Sequence, residues 1–381
     1  MRSIYAYLAL FFTILFAPTA SFAQVPLSDI ASVSLLTCGP GNELYSVFGH
    51  TAIRVHDPLR GMDVVYNYGT FDFDTPNFYL KFVKGDLKYF VSASSYDDFI
   101  YTYQYYNRDV FEQQLNLMPD QKQKIADELN TTLTSDKRFY TYKYFDRNCT
   151  TMVADVINNT IPVKISMKNK DEGKTYRKIV DEYLVNSFYE NLGISLIFGF
   201  HTDRPMDRLF LPEQLLEGVS NTKIGATPLA QPTVTVYKST AVAETSAWNN
   251  YYTYAIACLL LMAAASTNAV AHRSLLALFG LLGVFFCTVG FYSFHIEISQ
   301  NYNALLINPL FLVLLYFIFS KNIKAIKTLS YICLGSIAVY IILMFNKPHL
   351  IIVLPVVALI LILLLRALYP HWKVLPKNRN K

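Results

Sequence analysis

The sequence predicts an α+β domain held outside the cytoplasm and, after it, an all-α bundle of five transmembrane helices. Three observations carry this reading. Of 381 residues, 53% are hydrophobic and only 16% charged, where a soluble chain has about 25% charged residues. The apolar excess is confined to the first 23 residues and the last 131. Charge divides the same way: residues 24–250 carry 22 Lys and Arg against 27 Asp and Glu, while residues 251–381 carry 10 basic residues and one acid, Glu297. The net charge of +5 therefore belongs to the apolar part and points to no nucleic-acid partner.

Residues 1–23 read as a signal peptide. Arg2 supplies the positive start, Tyr5 to Phe16 the apolar stretch, and Ser21-Phe22-Ala23 a small-x-small site before Gln24. No cysteine follows the cut, so this is not a lipoprotein signal. The alternative is an uncleaved anchor, for which the apolar run is short. Either way, residues 24–250 are expected outside the cytoplasm.

Within 24–250 a strand is predicted over Ala31–Thr37, followed by the turn Cys38-Gly39-Pro40-Gly41. His50–His56 and Asp63–Tyr68 alternate as the arms of a hairpin around Asp57–Met62. A helix is expected around Asn77–Val83, then strands over Leu87–Ala93 and Arg108–Leu117. Pro119 opens an amphipathic helix to Thr132. After the aromatic stretch Phe139–Phe145 come helices over Cys149–Asn158, Lys174–Asn191 and Pro212–Val219. Residues 233–250 read as a short linker.

Apolar runs at 251–268, 274–294, 303–320, 328–345 and 350–369 each approach the ~20 residues that cross a bilayer. Ala271-His272-Arg273 and the segment Lys321–Lys327 are basic, whereas His295–Tyr302 has no Lys or Arg. Basic loops stay cytoplasmic, so the domain is placed outside and residues 370–381, with Lys373, Lys377, Arg379 and Lys381, form a cytoplasmic basic tail. No carboxylate or Arg pair lies at mid-membrane, which argues against a transporter. Arg366 falls near the cytoplasmic end of the last run. Cys258, Cys287 and Cys333 read as small packing residues.

Two residues of the domain carry chemistry. Cys149 opens a helix whose Met152, Val153, Val156 and Ile157 form one apolar face, and a thiol at a helix N-terminus has its thiolate favoured by the dipole. A buried structural cysteine would fit the helix equally well. On an extended strand His50, Ala52, Arg54 and His56 share one face, and small Ala52 would let a helix pack close. A lone histidine is usually a satisfied polar residue, but beside a helix-start cysteine it fits a thiolate–imidazole pair. Asn67 on the returning strand is the candidate to orient His50. Arg54 suits a phosphate or an acidic partner equally. No spacing suits a metal, and no cofactor is expected.

The order, histidine strand before cysteine helix, resembles the circularly permuted NlpC-like branch of the papain fold. Leu35-Leu36-Thr37-Cys38-Gly39-Pro40-Gly41, Glu43-Leu44-Tyr45-Ser46 and Phe48-Gly49-His50-Thr51-Ala52-Ile53-Arg54-Val55 are more closely similar to a periplasmic family of Bacteroidota, the Lnb-type lipoprotein N-acyltransferases. Asn67-Tyr68-Gly69-Thr70-Phe71-Asp72-Phe73, Asn148-Cys149-Thr150-Thr151 and Phe210-Leu211-Pro212 also fit it. The resemblance spans most of residues 31–220. It implies a multi-pass protein of the bacterial inner membrane with its catalytic domain in the periplasm. It also implies Cys149 and His50 as catalytic pair, a phospholipid as acyl donor through a cysteine thioester, and diacylglyceryl lipoproteins as acceptors. Asn67 joins the pair as third catalytic candidate, and Arg54, Tyr45 and Tyr68 are the candidate substrate-binding residues. Two alternatives remain at this stage: a membrane-anchored peptidoglycan or peptide hydrolase, and a non-enzymatic binding domain in which Cys38 and Cys149 form a disulfide.

Overall fold

A computed structural model describes residues 26–241 and 246–370. The predicted signal peptide, and the predicted tail beyond Pro370, lie outside these residues. The first part is built on a seven-stranded sheet of β1 (Ser32–Cys38), β2 (His50–Asp57), β3 (Met62–Thr70), β4 (Lys88–Ser95), β5 (Val110–Gln114), β6 (Phe139–Thr141) and a late strand over Val234–Tyr237. Its order is β6-β4-β3-β2-β1-β5 followed by the late strand, and every neighbouring pair is antiparallel. That late strand takes the start of the predicted linker into the sheet edge. A separate two-stranded ribbon is formed by Lys223–Ile224 and Thr227–Pro228.

Helices cover both faces, which explains why β1 is apolar almost throughout. On one face Val33, Leu35, Ile53 and Val55 pack against Ile125 and Leu129 of a helix over Pro119–Thr134, and against Val153, Val156 and Ile157 of the Cys149 helix. On the other, Leu36, Cys38, Ala52 and Val65 meet Phe99 and Tyr103. The helix closing over Ala52 is therefore Tyr96–Tyr105, which the sequence pattern did not announce, and not the cysteine helix. Aromatic residues are mediocre helix formers; here Ser95 caps the start by accepting the Asp98 N–H at 3.1 Å.

We number the helices in chain order: α1 (Phe78–Lys84), α2 (Tyr96–Tyr105), α3 (Pro119–Thr134), α4 (Cys149–Asn158), α5 (Tyr176–Tyr183), α6 (Phe188–Ile197) and α7 (Pro212–Ser220). The predicted helix over Lys174–Asn191 is two helices. Thr175 caps α5, and a turn from Leu184 to Ser187 redirects the chain into α6.

The C-terminal part comprises α8 (Tyr251–Thr267), α9 (Ala269–Tyr292), α10 (Leu310–Phe319), α11 (Ile323–Met344) and α12 (Leu350–Leu368). Among the described residues, four segments are long and apolar enough to cross a membrane: Ala269–Tyr292, Ile296–Phe319, Ile323–Met344 and Leu350–Leu368, with mean hydropathies of 2.2, 1.9, 1.8 and 3.0. At 17 residues α8 is shorter. Asn268 alone separates α8 from α9, and its side chain accepts the Val270 N–H at 2.7 Å, so the basic residues expected in a loop, His272 and Arg273, lie in the first turns of α9. The run predicted as one helix over 303–320 is interrupted. Short 3-10 turns occupy Ile296–Ile298 and Tyr302–Leu305, and only Leu310–Phe319 is α-helical. That is roughly 15 Å of helix.

The interrupted segment is the junction with the sheet domain. Asn301 and Asn303 donate their side-chain amides to carbonyls at the end of α6: Asn301 to Leu196 at 2.8 Å, Asn303 to Ser195 at 3.1 Å. Buried Arg177 donates to Asp203 at 2.7 Å and to the Gly199 carbonyl at 3.0 Å, and Lys347, between α11 and α12, reaches the same Asp203. Burial would raise the Asp203 carboxyl, but Arg177 and Lys347 hold it below its ordinary value. A Cβ on Gly199 would stand 1.8 Å from the Ser299 carbonyl oxygen, so only glycine admits this approach.

Candidate active site

Cys149 is the first residue of α4, and the chain fixes that helix start from three sides. Asn148 caps it, its Oδ1 accepting the Thr151 N–H at 2.9 Å while the Asn148 N–H donates to the Thr151 hydroxyl at 2.8 Å. The Asn148 amide donates in turn to the carbonyls of Tyr144 and Phe210, both at 2.9 Å. Thr150 and Thr51 of β2 share a hydroxyl–hydroxyl hydrogen bond of 3.0 Å. The helix start is thereby tied to β2, to the loop after β6 and to the segment before α7.

His50 begins β2, and its Nε2 lies 3.2 Å from Oδ1 of Asn67 on β3. With a carbonyl oxygen as partner, Nε2–H donates. That tautomer leaves Nδ1 as the nitrogen able to accept a proton. Beyond Asn67 the pairing of β3 and β4 shifts register before Thr70. Gly69 sits in that irregularity at φ 87°, and a Cβ there would be 3.5 Å from the Cβ of Cys149. The bulge turns the end of β3 toward the thiol.

Electrostatics at Cys149 oppose one another. Burial pushes the thiol pKa up. The hydrogen bond and charge of His50, the Thr51 backbone and the Thr150 hydroxyl outweigh it, and the net shift is downward. Cys38 shows the contrast: buried beside Tyr103, its thiol is pushed up to about 12. Both cysteines are free thiols, so the disulfide alternative finds no bond here. The contrast singles out Cys149 as the more nucleophilic of the two.

The thiol opens into a cleft of about 270 Å³ whose lining is predominantly aromatic and aliphatic. Phe71 and Phe73 pack edge to face at 5.0 Å, Phe73 meets Phe78 at 4.9 Å, and Tyr89 stacks on Tyr142 at 4.4 Å. Leu44, Tyr45 and Tyr79 form the rim, and Phe210, Leu211 and Pro212 the opposite wall. Such a surface suits a hydrocarbon chain better than a peptide or a sugar.

Of the residues singled out from sequence, Cys149, His50, Asn67 and Tyr45 converge here. Two stand apart. Arg54 is engaged by Asp63 at 2.7 Å and Glu112 at 3.0 Å and lies over the Tyr96 ring, so its guanidinium has no free edge for a phosphate. Tyr68 points into the core behind the sheet, 2% exposed; strand alternation puts it opposite Asn67. Sequence reading assigned neither Asn148 nor Thr51 a role in the site. The polar Asn148-Cys149-Thr150-Thr151 run at a helix start was the available signal for Asn148; Thr51, on the apolar side of an alternating strand, offered none. Among the described residues, no cluster of His, Cys, Asp and Glu suits a metal ion.

Comparison with known proteins places this site in a family. Residues 17–182 match the family model of the Lnb N-terminal periplasmic domain, which includes His50, Asn67 and Cys149. Neither the curated proteins nor the solved structures gave a match. The domain and the apolar helices together describe a membrane-anchored protein with a periplasmic N-terminal domain.

Proposed function

We propose that this chain, whose N-terminal part belongs to the Lnb-type family, is a lipoprotein N-acyltransferase of the bacterial inner membrane. It moves an acyl chain from a phospholipid, through a thioester on Cys149, to the N-terminal amine of a diacylglyceryl lipoprotein. The observation that carries this reading is a lowered helix-start thiol, paired with an oriented imidazole, at the bottom of an aromatic cleft. The permuted papain-like arrangement belongs to the same reading: strand histidine first, helix cysteine about a hundred residues later. So do five crossings of the membrane and a cytoplasmic C-terminus, with α8 as the first crossing.

The chemistry proceeds in two halves. His50 takes the Cys149 proton, and the thiolate attacks the ester carbonyl carbon of the phospholipid. A C–S bond forms, the ester C–O bond breaks, and the lysophospholipid alkoxide leaves with the proton from His50. The Cys149 N–H, at the positive end of α4, is placed to stabilise the oxyanion. In the second half the lipoprotein amine attacks the thioester carbonyl, its proton passes to His50, and the C–S bond breaks to release the amide and the thiolate. Asn67 keeps the imidazole in the tautomer both halves require. The apolar lining keeps water from competing with the amine.

The test is a half-reaction. Full-length protein given phospholipid alone gains one acyl group on Cys149, labile to hydroxylamine; a diacylated lipopeptide with a free amine then discharges it as an amide. Cys149→Ser and His50→Ala abolish both steps. If single-turnover conditions yield no adduct, yet the lipopeptide is acylated when both substrates are present, transfer is direct and the thioester is wrong.

A further inference from the structure

Helix α1 reverses the pattern of a soluble surface helix. Its exposed residues are apolar: Tyr79 at 74%, Leu80 at 67%, Phe82 at 40% and Val83 at 38%. Its two lysines, Lys81 and Lys84, are partly buried, as is Phe78. In water such a helix would expose a contiguous apolar patch without compensation. Its C-terminal end is fixed to the point where α9 ends. Ser293 donates its hydroxyl to the Val83 carbonyl at 2.8 Å, the Phe294 N–H donates to the Lys84 carbonyl at 2.7 Å, and His295 Nε2 lies 3.0 Å from the Phe82 carbonyl. Since α9 is one of the segments able to cross the membrane, α1 sits at the level where that crossing meets the periplasmic surface. Exposed Phe291 and Phe294 flank the same level. On its inner side α1 contributes Phe78 to the Cys149 cleft, and Tyr79 and Phe82 line the cleft from the exposed edge, leaving Leu80 and Val83 facing outward only. One short helix therefore has its outer face at the height of the lipid and its inner face in the site.

We propose that α1, with Phe73 beside it, is a lip dipped into the periplasmic leaflet, over which one acyl chain of a bilayer phospholipid slides laterally into the cleft. The inference rests on the acyltransfer reading for what becomes of the chain, and on geometry alone for the placement of the lip. The occupant of the exposed face is the hydrocarbon of the bilayer, because that face continues directly from the outer end of α9. Interfacial helices of this kind bind by buried apolar area, with basic residues kept at headgroup level, as Lys81 and Lys84 would be.

The experiment uses the full chain in vesicles of phosphatidylethanolamine and phosphatidylglycerol. In a Trp248→Phe, Trp372→Phe background, Leu80→Trp emission is quenched by lipids brominated on the acyl chain. Leu59→Trp, at the hairpin turn remote from the His50 end of β2, is not. Leu80→Asp with Val83→Asp lowers acylation of Cys149 from bilayer phospholipid by about tenfold or more, while its alkylation by iodoacetamide and its acylation by a water-soluble butyrate ester keep their native rates. Absence of quenching at position 80, or a native rate from bilayer phospholipid in the double Asp variant, overturns the lip. If native protein takes no acyl group from any donor, the acyltransfer reading fails, and the quenching still decides where the lip lies.

Discussion

Asn148 stands next to the Cys149 thiol and anchors the start of its helix, and its removal can be costed bond by bond. The side chain is 4% exposed and makes three hydrogen bonds of 2.9 Å, one accepted from the Thr151 N–H and two donated to the Tyr144 and Phe210 carbonyls. Loss of an N-cap costs about 1 kcal/mol. Each enclosed carbonyl that loses its donor costs about 1 kcal/mol more. Asn148→Ala should therefore destabilise the domain by about 3 kcal/mol, a fall of roughly 6–12 °C for a domain of this size. Asn148→Asp should be worse. It keeps the cap acceptor but turns a carboxylate oxygen onto two carbonyl oxygens, a penalty exceeding the up to about 1 kcal/mol that the helix dipole offers. Its charge beside Cys149 also disfavours the thiolate, so the pH profile of iodoacetamide alkylation moves to higher pH. Thermal unfolding in detergent and the alkylation profile measure both effects. A fall of under about 2 °C for the alanine variant, or an aspartate variant more stable than the alanine one, would refute the three-sided anchoring of this helix.

Further expectations concern the titrating groups. In His50→Ala the two largest influences that lower the Cys149 thiol are gone while burial remains, so the alkylation midpoint moves to higher pH; an unmoved midpoint would remove His50 from the pair. Cys38→Ser should leave Cys149 alkylation and acyl transfer near native, because the Cys38 thiol is enclosed against Tyr103 and held protonated; a loss matching Cys149→Ser would make Cys38 part of the chemistry. Asp181 has one carboxylate oxygen buried without a partner, and burial raises its pKa to about 6. The unfolded chain then ionises first as pH rises, so this group costs stability from about pH 4 upward. Asp181→Asn should raise the melting temperature at pH 7.5 and leave it unchanged at pH 4, which melting curves at the two pH values decide.

What was legible depended on periodicity and on local chemistry. The run of α4 could be read from the apolar residues that follow Cys149, because a 3.6-residue repeat is a local signal. The returning strand offered Asn67 as a candidate to orient His50, and the register that sets Ala52 against Asn67 across β2 and β3 brings the two side chains together. Arg54 was undecidable from sequence: its partners Asp63 and Glu112 come from different strands, and only the sheet order brings them together. Tyr68 was misplaced because neighbouring residues on a strand face opposite ways. Helix α2 was hidden by its aromatic composition. The break before α10 was hidden by hydropathy, which reads an apolar segment as continuous whether or not it is helical.

The polar junction of Arg177, Asp203, Lys347, Asn301 and Asn303 makes the protein a caliper. Because these contacts tie the bundle to the sheet domain, the height of the Cys149 sulfur above the bilayer centre is a fixed length of protein, while the height of the lipid ester carbonyls varies with the bilayer. Helix tilt accommodates mismatch at a cost of fractions of a kcal/mol per Å, and here any tilt carries the sulfur with it. Under the proposed acyltransfer, membrane thickness thus becomes a variable of the reaction, so that acyl-chain length acts twice: once as the chain to be held in the cleft, and once as the medium that sets how far the thiol stands from its substrate.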